Sequence, residues 1–236
     1  EIQIKVRATS VNFGDLMVRN MKAVTPGNFT MPTPLLLPTR MMFGWNKPKN
    51  HILGAVFAGD VESVGKDVTR FQVGDPVFGY LGPTMGAYAE YVCMAEDGNV
   101  ITKPHNMSYE EASTIPYGAI MAVPILKKAN IQPGQKVLIN GASGAIGSMA
   151  IQLAKHYGAE VTGVCGKLRI EFVKSLGADN VIDYAQEDFT KNGETYDVIF
   201  DVLGKSSFSA CKHSLTPNGI YLLVSFKTGQ VLQMLW

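Results

Sequence analysis

From Glu1 to Asn106 apolar side chains recur with period two, as in Ile2, Ile4, Val6 and Ala8, the spacing that sets one face of a strand against a core. Ala87, Ala89, Tyr91 and Cys93 read as one strand face, with Tyr88, Glu90 and Val92 on the other. Gly54, Gly59, Gly65, Gly74, Pro76, Gly79, Gly82 and Gly86 punctuate these runs, so this half is predicted to be short strands and turns forming a barrel. From Gln135 onward the period changes. A strand over 136–140 is followed by a helix over 145–157, whose stripe is Ile146, Ala150, Leu153, Ala154 and Tyr157, and then by a strand over 160–165. A helix over 168–176, strands over 180–183 and 197–201, a helix over 206–214 and a strand over 220–224 complete the pattern. Strands alternating with helices predict a doubly wound parallel sheet.

Two segments depart from these patterns. Tyr109 to Asn130 has helical spacing but contains Pro116 and Pro124, which predicts two helices meeting at an angle. Thr25 to Asn50 carries five prolines among Met31, Met41, Met42, Phe43 and Trp45, and reads as a long irregular loop apolar enough to pack over something.

Composition narrows the function classes. The 236 residues are 46% hydrophobic and 17% charged, enough for a packed core, and 21 basic against 20 acidic residues give a net charge of +1. No global field draws the chain to nucleic acid or an anionic membrane. The most apolar stretch, Ala112 to Leu126, is broken by Pro116, Gly118 and Pro124 and falls short of the roughly 20 residues of a spanning helix. Cys93, Cys165 and Cys211 lie too far apart in sequence for a Cys-x-x-Cys pair, and so sparse a count fits a reducing compartment, here taken as the cytoplasm. The opening EIQIKVRATS has neither an initiator Met nor a basic start before an apolar run, so the chain reads as a piece of a longer one.

The main chemical signal follows the strand over 136–140. Gly141-Ala142-Ser143-Gly144-Ala145-Ile146-Gly147 is a G-x-G-x-x-G fingerprint with Ala142 in the first glycine slot, between a strand and an amphipathic helix. Gly144 admits a pyrophosphate to the backbone, Gly147 lets helix and strand approach, and the helix N-terminus offers free N–H groups. Ser143, Gly144, Ala145, Ile146 and Gly147 are therefore candidate cofactor contacts; the alternative is an ordinary tight turn. The strand over 160–165 ends in Cys165-Gly166-Lys167, without the carboxylate that binds the ribose 2′-OH of NAD, while Lys167 and Arg169 open the next helix, where a cation opposes the dipole. A 2′-phosphate gives them a reason to be there, which favours NADPH over the alternative of two solvated cations.

Other chemistries find no support. His51, His105, His156 and His213 are scattered without neighbours at ligand spacing, so no metal is expected. No tyrosine is followed four residues later by lysine, and no Gly-x-Ser-x-Gly elbow occurs. Hydride transfer from the cofactor to an already electrophilic acceptor, a quinone or a carbon conjugated to a carbonyl, needs no metal.

The residues also resemble a family. Val11-Asn12-Phe13-Gly14-Asp15, the glycine-punctuated runs 54–65 and 68–79, Gly86-Ala87-Tyr88-Ala89-Glu90-Tyr91-Val92, the loop 141–147, Leu176-Gly177-Ala178-Asp179 and Val181-Ile182-Asp183-Tyr184 resemble, in order, the medium-chain dehydrogenase/reductase superfamily. The resemblance is to its zinc-free, quinone oxidoreductase-like branch. It implies an α/β fold in which an N-terminal GroES-like β-barrel domain (1–116) precedes a doubly wound Rossmann domain (117–236) lacking its C-terminal part, with a cleft between them. It implies Asn12 near the nicotinamide, Lys167, Arg169 and Tyr184 around the 2′-phosphate, and Leu203 and Gly204 beside the nicotinamide ribose. For Asn12 a turn cap, and for Tyr184 a strand-end aromatic, are the plain alternatives. Where zinc-dependent relatives carry Gly-His-Glu, this chain has Gly54-Ala55-Val56. Met121 stands where relatives often have a threonine that donates to the cofactor. Relatives also continue well past Met234-Leu235-Trp236, and their last sheet strand commonly pairs across a homodimer, so a chain ending there would expose an edge.

The function expected is an NADPH-dependent reductase of quinones or α,β-unsaturated carbonyls acting on a small molecule. Met42, Trp45, Tyr80 and Met121 are candidate substrate contacts, and Tyr80 and Tyr88 are candidate proton donors that fit strand packing equally well. The alternatives are a zinc-free alcohol or carbonyl oxidoreductase and a non-catalytic NADPH-binding sensor or scaffold.

Overall fold

The structure, a computed structural model, describes residues 1–230; Met234, Leu235 and Trp236, at which the sequence ends, lie outside the described residues. The chain folds as two units, one made of residues 1–25 and 37–117, the other of residues 26–36 and the chain from Gly118 on.

The first unit is built on an antiparallel sheet of β1 (Ile2–Ala8), β2 (Val56–Val64), β3 (Pro76–Tyr80), β4 (Tyr91–Met94) and β5 (Val100–Thr102), in the order β4-β1-β2-β3-β5. Ile2, Ile4, Phe57, Val61, Val77, Val92 and Val100 form its core. The expected faces of the 87–93 run are corrected at β4. Its register sets Val92 against Ile4 and Met94 against Ile2, so Val92 points inward while Tyr91 and Cys93 are exposed. Ala87 is buried too, but residues 87–90 precede β4, so the alternation does not carry across them.

The segment from Thr25 to Asn50 is not irregular throughout. A 3₁₀ turn (Thr33–Leu35) leads into α2 (Leu36–Phe43), and Pro38 is tolerated there because it lies in the first turn, where its missing N–H has no partner to lose. Phe29 and Leu36 are buried, as expected of an apolar segment, whereas Met41, Met42 and Trp45 are exposed. Tyr109 to Ala129 is likewise one helix, α3, rather than two. Ala112, Pro116, Ala122, Leu126 and Ala129, all buried, recur at helical spacing through both prolines. Burial of that stripe at about 25 cal/mol per Å² outweighs the roughly 3 kcal/mol each proline costs.

The second unit is a parallel sheet of β6 (Lys136–Asn140), β7 (Glu160–Cys165), β8 (Asn180–Asp183), β9 (Tyr196–Asp201) and β10 (Leu215–Leu223), in the order β10-β9-β6-β7-β8. One face, with Val137, Ile139, Val161 and Phe200, packs against α4 (Ala145–His156) through Ala150, Ile151 and Ala154, and against α5 (Ile170–Ser175) through Val173. The other face, with Leu138, Val164, Ile182 and Ile199, is covered through Cys211 of α6 (Phe208–Cys211). Sandwiching on both sides explains why these strands read as nearly continuous apolar runs. The chain steps outward from β6 to β7 and β8 on one side and to β9 and β10 on the other. That reversal opens a crevice beyond the carboxyl ends of β6 and β9, the usual ligand position in such sheets. Among the described residues no helix is long and apolar enough to cross a membrane.

Candidate functional site

The loop after β6 is shaped by what a side chain would hit. A Cβ on Gly147 would lie 2.2 Å from the carbonyl oxygen of Gly141 and within 2.9 Å of the Ala142 backbone, so a glycine is required for α4 to start this close to the loop. At Gly144 the only atom among the described residues within 4 Å of such a Cβ is that same oxygen, at 3.6 Å, and the backbone is extended with φ −82°. The protein therefore does not need a glycine at 144; the space belongs to whatever approaches the loop. Gly144 and Ala145 are exposed and Ser143 and Ile146 half-buried. The first bond into α4 runs from the Ser148 N–H to the Gly144 carbonyl at 2.8 Å, so the amides of Ala145, Ile146 and Gly147 have no intrahelical acceptor. Three donors with no acceptor among the described residues, a positive dipole end and an unfilled notch make a cradle that fits a pyrophosphate.

The carboxyl ends of β7 and β8 adjoin it. Cys165 closes β7, its thiol pushed up by burial and then by the charge of Asp183. Gly166 turns the chain into a 3₁₀ turn of Lys167, Leu168 and Arg169. The Tyr184 ring lies over Gly166, where a Cβ would come 3.1 Å from its hydroxyl, and Tyr184 is 67% exposed. Lys167 and Arg169 are exposed and enter none of the ion pairs among the described residues. Two free cations and an uncovered aromatic thus meet at the end of the second strand, with no carboxylate on 165–169.

Sequence reasoning missed the residue that fixes the far wall. Asp201, fully buried at the end of β9, accepts from Asn140 Nδ2 at 3.0 Å, from the N–H groups of Leu203 and Gly204 at 3.1 Å each and of Ser206 at 3.2 Å, and from the Tyr221 hydroxyl at 3.0 Å. Burial nonetheless holds its carboxyl above the usual range, and burial with the Asp201 charge pushes the Cys211 thiol up to about 11. The network ties β6, β9 and β10 together and sets Leu203 against Gly141, where a Cβ would lie 2.9 Å from Leu203 Cγ. An acid closing an apolar strand just before Val-Leu-Gly was the available signal.

In the first unit Asn12 caps α1 (Phe13–Arg19), its N–H donating to Asp15 Oδ2 at 2.9 Å; Nδ2 makes long contacts of 3.4 Å to Ser10. Asp15, also overlooked, is 2% exposed, takes a second bond from the Tyr88 hydroxyl at 3.2 Å and leaves Oδ1 without a partner among the described residues. It lines a small cavity of about 140 Å³ with Ala55, Met85, Tyr80 and Tyr117, and the two tyrosine rings meet edge to face at 6.3 Å. Burial first, then the charge of Asp15, raises Tyr80 and pushes Tyr88 up to about 12; Tyr117 is raised by burial, Tyr80 and Asp15. These phenols stay protonated at neutral pH, and that of Tyr88 donates to Asp15. Met42 and Trp45 are exposed, and Met121 is half-buried within α3. All four histidines are exposed, and among the described residues no group of three or more His, Cys, Asp or Glu side chains is placed to hold a metal.

Comparison with known proteins puts this geometry in context. A family model described as the alcohol dehydrogenase GroES-like domain matches residues 1–105, and one described as zinc-binding dehydrogenase matches residues 145–234. The mitochondrial NAD(P)H oxidoreductase RTN4IP1 of Mus musculus is 37% identical over 218 residues, covering 88% of this chain and 53% of its own length. A 2-methylene-furan-3-one reductase of Solanum lycopersicum is 33% identical over 210 residues, covering 80% and 54%. The solved quinone oxidoreductase of Coxiella burnetii superposes with a TM-score of 0.72 at 26% identity, over 99% of this chain and 77% of that one. The chain spans about half the length of the curated relatives it matches.

Proposed function

The chain belongs to the medium-chain dehydrogenase/reductase superfamily, among its quinone oxidoreductase-like members with a GroES-like first unit and a Rossmann second, and from that membership we propose an NADPH-dependent reductase of quinones or α,β-unsaturated carbonyls. The observation that carries the reading is the notch at Gly144 beside free amides, with unpaired Lys167 and Arg169 and no carboxylate at the end of β7. When bound, the nicotinamide supplies a hydride to an electrophilic carbon. The amides of Ala145, Ile146 and Gly147 hold the pyrophosphate, with Ser143 beside them. Lys167, Arg169 and Tyr184 would surround the 2′-phosphate, the two cations neutralising it, and Leu203 and Gly204 would border the nicotinamide ribose. Asn12 lies near the nicotinamide. On the substrate side Tyr80 donates a hydrogen bond to the acceptor's carbonyl oxygen, and solvent protonates the product. Met42, Trp45 and Met121 shape the substrate's surroundings. In the whole protein we propose a homodimer; the three free cysteines suit a reducing compartment such as the cytoplasm.

The test is a parallel fluorescence titration with NADPH and NADH. Two exposed cations within reach of one phosphate, screened by water, contribute on the order of 1 kcal/mol each. NADPH is therefore expected to bind at least about tenfold tighter, and a Lys167→Ala/Arg169→Ala variant to lose that preference while keeping its affinity for NADH. Equal binding of the two nucleotides by the unaltered chain defeats the phosphate assignment. Binding of neither defeats the nucleotide site, and a quinone and enone panel tests the acceptor class.

A further inference from the structure

On the first unit a second cavity, of about 500 Å³, is bordered by Tyr88. Its lining includes Arg19, Lys47, His51, Ile52, Leu53 and Tyr88 and contains no acidic residue. Arg19 closes α1, and Lys47 and His51 come from the segment after α2, so the fold brings these basic groups together from separate elements. None of the three enters an ion pair among the described residues. Gathering cations on one rim costs repulsion and returns nothing to the fold by itself.

The rim is held in place. Gly44, at φ +113°, allows a turn so tight that a Cβ would sit 2.1 Å from the Lys47 carbonyl oxygen, and backbone bonds of 2.8 Å from Gly44 to Arg40 and from Lys49 to Phe43 close it. The Lys49 ammonium donates to the Met41 carbonyl, whereas Lys47 lines the cavity. Asn50 then clamps the approach to His51, donating to the Thr84 carbonyl at 2.7 Å and accepting from the Ile52 N–H at 3.1 Å. Ile52, Leu53 and the Tyr88 ring give apolar surface beneath a cationic rim, and the volume lies within the range of small-molecule sites. A guanidinium and an ammonium over an apolar floor match an acid whose charge sits on an apolar body.

We propose that this cavity binds an organic carboxylate, with its aromatic or aliphatic body on Ile52, Leu53 and Tyr88 and its charge on Arg19, Lys47 and His51. The test is isothermal titration of the full chain, without nucleotide, with 2-naphthoate and with the neutral 2-naphthamide. Three proteins are compared: the unaltered chain, Arg19→Gln/Lys47→Gln, and a Lys22→Gln control that changes a nearby lysine absent from the lining. The expected result is naphthoate binding at least tenfold tighter than the amide, a gap that falls below twofold in the double variant and survives in the control. Equal binding of acid and amide overturns the proposal, as does no binding of either or a gap the double variant keeps. A gap lost equally in Lys22→Gln also overturns it, since a diffuse surface charge would then be responsible. No nucleotide or turnover enters the readout, so the outcome is independent of the reductase reading.

Discussion

Replacing Gly144 and Gly147 by alanine, one at a time, separates what the fold needs from what a ligand needs. At Gly144 the backbone is already extended and the new methyl would meet one atom, at 3.6 Å. Alanine is a poorer N-cap than glycine by about 0.5–1 kcal/mol, but it removes a similar amount of freedom from the unfolded chain, about 0.4–1 kcal/mol. The net change in stability is expected to stay within about 0.5 kcal/mol. At Gly147 alanine gains about 1 kcal/mol of helix propensity, but its methyl is driven to 2.2 Å from a backbone oxygen flanked by more backbone. Backbone cannot yield as a side-chain tip can, so overpacking of about 3 kcal/mol leaves a net loss near 2 kcal/mol. Urea denaturation measures both stabilities, and NADPH titration of the two folded variants measures binding. Gly144→Ala is expected to keep the stability and lose at least about tenfold in affinity, because its methyl occupies the notch assigned to the pyrophosphate. If Gly144→Ala binds NADPH as tightly as the unaltered chain, the cradle is not where the nucleotide sits; if it unfolds as readily as Gly147→Ala, the steric reasoning itself is wrong.

Other outcomes follow from the same geometry. Asp201→Ala strands four donors on the far wall together with Asn140, and is expected to cost at least about 3 kcal/mol in denaturant titrations, far more than an exposed substitution such as Lys205→Ala. Burial pulls Asp60 up, but Tyr109, Arg7 and Lys103 together hold its carboxyl below the ordinary 3.8. The unfolded chain therefore binds the proton first, and this contribution is present above that value and lost as pH falls toward the folded one. Asp60→Asn should flatten that part of the acid limb of a stability-versus-pH curve; an unchanged limb refutes the assignment. Tyr80→Phe removes the proposed donor to the carbonyl and is expected to lower kcat about tenfold to hundredfold with little change in nucleotide affinity, read from steady-state rates with a quinone acceptor.

Much of the second unit could be read from local sequence. The β6-loop-α4 passage announces itself because its glycines, apolar strand and amphipathic helix are contiguous, and the parallel sheet follows from regular alternation of strands and helices. Lys167, Arg169 and Tyr184 were legible as positions at strand ends, and the structure puts them there. The prolines of α3 and Pro38 of α2 misled because local rules price a missing N–H without knowing how much apolar surface the surrounding turns bury, or that a first turn has no bond to lose. The inward face of β4 was misread because parity belongs to a ladder, and the ladder begins only at Tyr91. Asp15 and Asp201 escaped for a different reason. Each carries a local mark, Asp15 three residues after its helix cap and Asp201 at the end of an apolar strand, but Asp15 meets Tyr88 across 73 positions and Asp201 meets Asn140 across 61, and partners that distant are set by the fold alone.

The Asp201 network also sets a timescale. A segment such as Leu203-Gly204-Lys205-Ser206, short of regular structure and partly open to water, would ordinarily exchange its amide protons with solvent almost as fast as a free peptide. Here the amides of Leu203, Gly204 and Ser206 are each locked to one carboxylate buried at the end of a central strand. Each must leave a buried acceptor before it can exchange, so their exchange is expected to be far slower than that of a free peptide. This stretch, though it looks like a loop, is expected to share the protection of the core rather than the openness of the surface.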